Sequence, residues 1–212
     1  VARVPNVLVV PANLPYKTLA ELVAAARAQP GRLSYGSGGN GSAAHIAMES
    51  LKQATRTAIV HIPYRGTAPS VNDLLAGQIQ IGFTGAPALL PHIRSGRLRA
   101  LAVSSPTRLA QLPEVPTVAE SATPSVPGMA DLKGFEADQW YGVVAPAGTP
   151  AAVVRRLNDE INKALAGAEM RERLNTEGAQ ALPGTPAAFG QLIGRERKRW
   201  AAVVKAAGIK PD

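Results

Sequence analysis

Hydrophobic positions along the chain fall into two alternating periods. Val7, Leu8, Val9 and Val10 form a continuous apolar run bounded by prolines, which predicts a strand over residues 6–10. From Thr18 the period changes. Leu19, Leu22, Val23 and Ala26 share one helical face, and Thr18 with Glu21 forms a capping box, so a helix starts there and stops at Pro30-Gly31. The alternation then repeats. A strand over 33–36 precedes a helix from 42 to about 53, and a strand over 57–62 precedes a short helix over 69–76 ended by Gly77. Residues 78–83 alternate strictly, as a half-buried strand does. A helix over about 87–95 ends at Gly96, and 99–104 reads as a further strand. Strands alternating with helices predict an α/β fold whose mainly parallel sheet is covered by helices on both faces.

Beyond residue 104 the pattern breaks. Residues 105–138 are rich in Pro, Ser and Thr, with one short helix expected over 116–120. A single strand over 140–145 follows. Helices are then expected to about 166, with Thr149 and Pro150 at the start, over about 168–177, and over about 186–207 behind Thr185 and Pro186. This helix-rich tail suggests a second lobe. The expected division is 1–10 as a crossover strand and part of an incomplete first lobe, 11–135 as a ligand-binding α/β lobe, and 136–212 as a return strand with the C-terminal helices of the first lobe.

Composition narrows the function classes. Of 212 residues 46% are hydrophobic but only 4% aromatic, so the core must be aliphatic. The absence of cysteine excludes disulfide frameworks, zinc fingers and thiol nucleophiles. A net charge of +8 favours anionic partners. The sharpest basic cluster, Arg195 to Arg199, wraps around a helix beside the apolar stripe of Phe189, Leu192, Ile193, Trp200 and Val203. It reads as a solvated face, and no stretch interleaves aromatic and basic residues as nucleic-acid binding would require. No cofactor or metal is expected, since His45, His61 and His92 each lack a second ligand at helical spacing.

The candidate chemistry lies in the turn from Ser37 to Ser42. A strand enters it and a helix leaves it, so free backbone N–H groups, the helix dipole and the hydroxyls of Ser37 and Ser42 together suit an anion. Gly36, Gly38 and Gly41 also satisfy G-x-G-x-x-G, but a dinucleotide site needs an acidic residue at the end of the next strand. That strand ends in Pro63-Tyr64-Arg65-Gly66, without one. Ser37 with His45 is the pair to weigh for a hydrolase or transferase, although the nucleophile-elbow pattern is missing and no acid is marked out as third member. Ser37, Asn40, Ser42, Tyr64, Arg65, Thr67 and Thr84 all fall at or beyond C-terminal strand ends, the ligand-binding edge of an open α/β sheet. Donors without a base make a binding constellation.

The segments 33–42, 60–66, 89–103, 113–120 and 203–210 resemble the Bug family, the extracytoplasmic solute-binding proteins of tripartite tricarboxylate transporters. The resemblance extends over nearly the whole chain. It implies a two-lobed, periplasmic-binding-protein-like receptor without catalysis or cofactor, located in the periplasm, serving membrane transporter subunits. The implied ligand is a small organic acid, a di- or tricarboxylate or an aromatic acid. Carried over by position, Ser37, Gly38, Gly39, Asn40, Gly41, Ser42 and His45 form the carboxylate clamp, and Tyr64, Arg65 and Gly66 its neighbouring wall. Thr84 stands where the family often has an aspartate, which disfavours a ligand with a free ammonium. Segment 121–133 is longer than the family usually has. The chain opens directly on strand sequence, so much of the first lobe is expected to be missing and the site to be half of one. A truncated, non-binding remnant is the remaining alternative, and an exposed sheet edge would invite pairing with another chain.

Overall fold

A computed structural model describes residues 1–210; the last two residues of the expected unit 136–212 lie outside it. Its centre is a five-stranded sheet built from β2 (Asn6–Pro11), β3 (Ser34–Ser37), β4 (Val60–Pro63), β5 (Ile81–Gly85) and β6 (Leu98–Val103), in the order β4-β3-β5-β2-β6. β3 pairs in parallel with β4 and β5. β2 runs antiparallel to both β5 and β6, so the sheet is mixed rather than mainly parallel.

The continuous apolar run of β2 is explained by burial on both faces. Leu8 and Val10 face one core with Leu19, Leu22, Tyr35, Met48 and Phe83. Val7 and Val9 face the other, with Val71, Leu74, Leu89 and Leu90. Each fully buried leucine or valine contributes roughly 1.5–3 kcal/mol by leaving water. Helices α1 (Leu19–Ala28) and α2 (Ala43–Thr55) cover the first face, and α3 (Thr67–Leu75) and α4 (Ala86–Arg94) the second. The Thr18 cap of α1 forms, while the reciprocal bond of the expected capping box shifts one residue back, to Lys17. Glu21 N–H donates to Thr18 Oγ at 3.1 Å, while the Glu21 carboxylate accepts from the Lys17 amide at 2.6 Å.

Residues 1–10 do not act as one crossover strand. Pro5 divides them. β1 (Ala2–Val4) leaves the main sheet and forms a second, antiparallel sheet in the order β7-β1-β8, with β7 (Gln139–Tyr141) and β8 (Gln180–Ala181). Around it stand α5 (Ala151–Ala166), α6 (Ala168–Thr176) and α7 (Pro186–Ala206). Residues 116–120 form a turn rather than a helix. Thr117 and Glu120 exchange cap-like hydrogen bonds, and Val103 bridges to Thr117 beside the edge strand β6. The expected strand over 140–145 shortens to β7, and Val143 and Val144 beyond it are exposed.

A buried polar junction joins the two sheets. The Asn6 side-chain amide donates to the Ala137 carbonyl at 2.6 Å and accepts from Gln139 Nε2 at 2.5 Å, while its backbone N–H donates to Ser104 Oγ at 2.8 Å. Ser104 Oγ donates in turn to Asp138 Oδ1. The other oxygen, Oδ2, has no hydrogen bond and faces Arg3 Nε at 3.1 Å. Burial raises the Asp138 pKa, against the lowering effects of Ser104 and Arg3.

Candidate anion-binding site

The parallel β3, β4 and β5 all end at one edge of the main sheet, and three helices begin there. β3 runs into the turn Gly38 to Ser42 and then into α2, whose N-cap is Ser42; its Oγ accepts the His45 N–H at 3.4 Å. β4 ends in Tyr64-Arg65-Gly66, and α3 starts at Thr67, two residues earlier than its apolar pattern suggests. Gly66 caps it with φ of 110°, a conformation that favours glycine. The two helix starts are close neighbours, since a Cβ on Gly38 would lie 3.4 Å from the Thr67 nitrogen. α4 starts at the same edge, but its first N–H is taken by the Pro5 carbonyl.

Loop hydrogen bonds turn inward and leave donors outward. Ser37 Oγ donates to the Gly39 carbonyl at 3.0 Å, accepts the Gly39 N–H at 3.2 Å and lies 2.6 Å from His61 Nε2. The Gly41 N–H donates to His45 Nδ1 at 3.1 Å, and the Ser42 N–H to the Gly39 carbonyl. Among the described residues the N–H groups of Gly38, Ala43, Ala44, Thr67 and Ala68 have no acceptor, and the Arg65 guanidinium has no partner. Two helix N-termini with unpaired amides, next in the chain to a guanidinium without a partner, gather positive partial charge at this edge, suited to holding a carboxylate.

Beneath the loop lies a stack of rings. Tyr35 and His61 stack at 4.9 Å between centroids, and His61 and His45 at 3.8 Å. The Tyr35 hydroxyl donates to Glu49 at 2.7 Å, and burial with that bond raises its pKa far above the usual range. Burial likewise lowers the His45 pKa, with Glu49 opposing and Lys52 assisting. Below and beside the loop a cleft of about 330 Å³ separates Gly41, Ala43, Ile46 and Ala47 from Asp138, Gln139, Trp140, Tyr141 and Trp200. Gly142, next to it, has no room for a side chain because the Phe189 ring stands 2.0 Å from where its Cβ would be. A larger groove of about 730 Å³ runs along β6 on the far side of the molecule. Its arginine, Arg99, is spent on the carbonyls of Ala12, Leu14 and Tyr16.

The expected site residues are therefore gathered unequally. Ser37 through Ser42, Arg65 and Gly66 come together. His45 is buried under the loop, its ring given to Gly41. Tyr64 is adjacent through its backbone N–H, which bonds the Ser37 carbonyl. Its hydroxyl points to Asp73 on α3 at 2.7 Å, and burial and that bond push its pKa up to about 12. Thr84 lies on β5, which the register of Gly36 opposite Gly82 sets level with the start of the loop. Ser37 pairs with His61 and not with His45, so the arrangement weighed for a hydrolase does not form. Sequence reasoning missed the start of α3, His61, and the cleft wall of Trp140, Tyr141 and Trp200. The clue was available for the last of these: they include both tryptophans of a chain poor in aromatics.

A family model described as "Tripartite tricarboxylate transporter family receptor" matches residues 1–209. A protein encoded in the tcbD-tcbE intergenic region of Pseudomonas sp. (strain P51) is 41% identical over 203 residues, 96% of this chain and 58% of its own length. Protein BugT of Bordetella pertussis is 39% identical over 210 residues, 99% of this chain and 62% of its own. This chain thus spans about three fifths of the length of these curated relatives. Among solved structures, an R. palustris protein with adipate superposes with a TM-score of 0.90 at 35% identity, covering 100% of this chain and 68% of that one. Periplasmic binding protein BugD gives 0.87 at 31% identity, with 100% and 68% covered.

Proposed function

Because the chain belongs to the tripartite tricarboxylate transporter receptor family, a family of solute-binding proteins rather than enzymes, we propose that it binds a small organic carboxylate outside the cytoplasm for such a transporter. The observation that carries this reading is the convergence of the α2 and α3 N-termini on the turn Gly38 to Ser42, with five backbone N–H groups and Arg65 lacking acceptors. One carboxylate of the ligand bonds the amides of Gly38, Ala43 and Ala44, and Arg65 closes over it. Gly39, Asn40, Gly41, Ser42 and Gly66 shape the pocket, and Thr84 borders it. The ligand body extends toward the cleft of Trp140, Tyr141 and Trp200, whose apolar walls suit an aliphatic dicarboxylate or an aromatic acid. The adipate held by the R. palustris neighbour is an acid of the first kind.

In this reading residues 11–135 with β2 make one lobe, and the small sheet with α5, α6 and α7 belongs to the other. The location is the periplasm, and the partners are the transporter's membrane subunits. The outer edge of β7 and exposed Tyr141, Val143 and Val144 offer a surface for a further segment or a second copy. Thermal shift against a panel of di-, tri- and aromatic carboxylates tests the reading. A ligand at about 100 times its Kd adds about 2.7 kcal/mol of stability. A panel without any stabilising acid, on this chain and on a protein of the relatives' full length, overturns it.

A further inference from the structure

Beneath the turn, the two stacked imidazoles each hold one of its residues, His45 bonding Gly41 and His61 bonding Ser37. His45 is only 6% exposed. Its hydrogen bonds go to the loop. Its backbone N–H bonds the Ser42 cap at 3.4 Å, and its Nδ1 accepts the Gly41 N–H at 3.1 Å. Its ring lies against His61 at 3.8 Å with 24° between the planes, and His61 Nε2 meets Ser37 Oγ at 2.6 Å.

We propose that His45 is a positioning residue, which holds the glycine-rich turn in its anion-accepting shape through one ring nitrogen, Nδ1. The proposal rests on the reading of this turn as the carboxylate site. Gly41 has φ of 70°, and with its N–H given to His45 the turn leaves the amides of Gly38, Ala43 and Ala44 without an acceptor among the described residues. An acceptor at Nδ1 requires the neutral ring with its proton on Nε2. The surroundings keep it so. Glu49 and Lys52 on α2 neutralise one another at 2.5 Å, Tyr35 on β3 is bonded to the same Glu49, and His61 on β4 stacks on the ring. Burial lowers the His45 pKa, in line with this arrangement.

Two substitutions of similar polarity separate positioning from simple filling of space. In His45→Asn the side-chain oxygen stands as many bonds from Cβ as Nδ1 does, so it can accept the Gly41 N–H. In His45→Gln the oxygen stands where Nε2 was and cannot. The assays on the 212-residue chain are ring-nitrogen NMR for the tautomer, amide exchange at Gly41, urea unfolding, and adipate titration by calorimetry. The expected results are an Nε2–H tautomer, Gly41 protection kept in His45→Asn and lost in His45→Gln, and equal stability of the two variants. Adipate affinity should stay within about threefold for His45→Asn and fall about fivefold to tenfold for His45→Gln, the weight of one net hydrogen bond. An Nδ1–H tautomer, or a His45→Gln variant that protects Gly41 and binds as His45→Asn does, overturns the proposal. If neither the unaltered chain nor a protein of the relatives' full length binds adipate or any other acid, the carboxylate reading fails, and tautomer and exchange alone decide whether His45 shapes the turn.

Discussion

Replacing Gly36, Gly38 and Gly41 one at a time by alanine should separate three positions that look alike in sequence. At Gly36 the added methyl would stand 2.3 Å from Ser70 Oγ, 2.5 Å from Ile79 Cδ1 and 3.2 Å from the Tyr64 ring. Ser70 and Ile79 are both buried, so they must rotate or β3 must move away from α3, an overpacking that costs about 1–3 kcal/mol. At Gly41 there is space, with the nearest atom, Ile209 Cγ2, 3.9 Å away, but φ is 70°. The left-handed conformation costs a side chain about 1–2 kcal/mol, offset by about 0.4–1 kcal/mol from a stiffer unfolded chain. At Gly38 φ is ordinary and the nearest atoms are at 3.4 Å, so alanine is neutral or stabilising by about 0.4–1 kcal/mol. Urea unfolding followed by circular dichroism should therefore rank Gly36→Ala below Gly41→Ala and Gly41→Ala below Gly38→Ala. Adipate affinity should not follow that order. The methyl of Gly38→Ala projects toward Gly66 and Thr67, between the two sets of donors, and should damage binding while leaving the fold intact. A Gly36→Ala protein as stable as Gly38→Ala would refute the packing argument, and a Gly38→Ala protein with full affinity would remove the gap between α2 and α3 from the site.

Ser42→Asp retains a good helix cap but sets a negative charge where the ligand carboxylate sits, so adipate binding should vanish while the urea midpoint holds; unchanged affinity would exclude the loop. Arg65→Ala removes an exposed guanidinium without a partner and should weaken adipate binding in calorimetry, with no measurable change in stability. Asn6→Ala strips the junction between the sheets and should cost roughly 1–3 kcal/mol for each buried partner left unpaired, the Ala137 carbonyl and Gln139 amide first, as read from urea unfolding. The pKa of His45 is lowered in the folded state, so the unfolded chain takes up a proton first and stability falls as pH drops below the usual 6.5. His45→Asn should flatten that slope in unfolding curves between about pH 7 and 5. Asp138, whose pKa is raised, has the opposite sign: its contribution is present below the usual 3.8 and is lost as pH rises from there.

The sequence by itself determined the alternation of strands and helices between residues 6 and 103, because it depends on local patterns. The apolar stripe of Leu19, Leu22, Val23 and Ala26, the Thr18 cap and the glycine stops at Gly77 and Gly96 each act within a few residues. The glycine-rich turn was legible for the same reason. Strand direction was not, since a continuous apolar run reads the same for β2 whether it runs with β5 or against it. β1 and β8, with three and two residues, carry no period at all and exist because each supplies pairing for the other through β7's sheet. The start of α3 was set by Gly66 at φ 110° and not by its apolar face, which begins later. The pairing of Ser37 with His61 was decided by register. β3 lies beside β4 with Tyr35 opposite His61, so residues 24 apart in the chain meet, while His45, only eight residues from Ser37, is turned down toward Gly41 by the helix it opens. Local chemistry is fixed by neighbours in sequence, but which donors stay unpaired depends on partners that only the folded chain brings within hydrogen-bond distance.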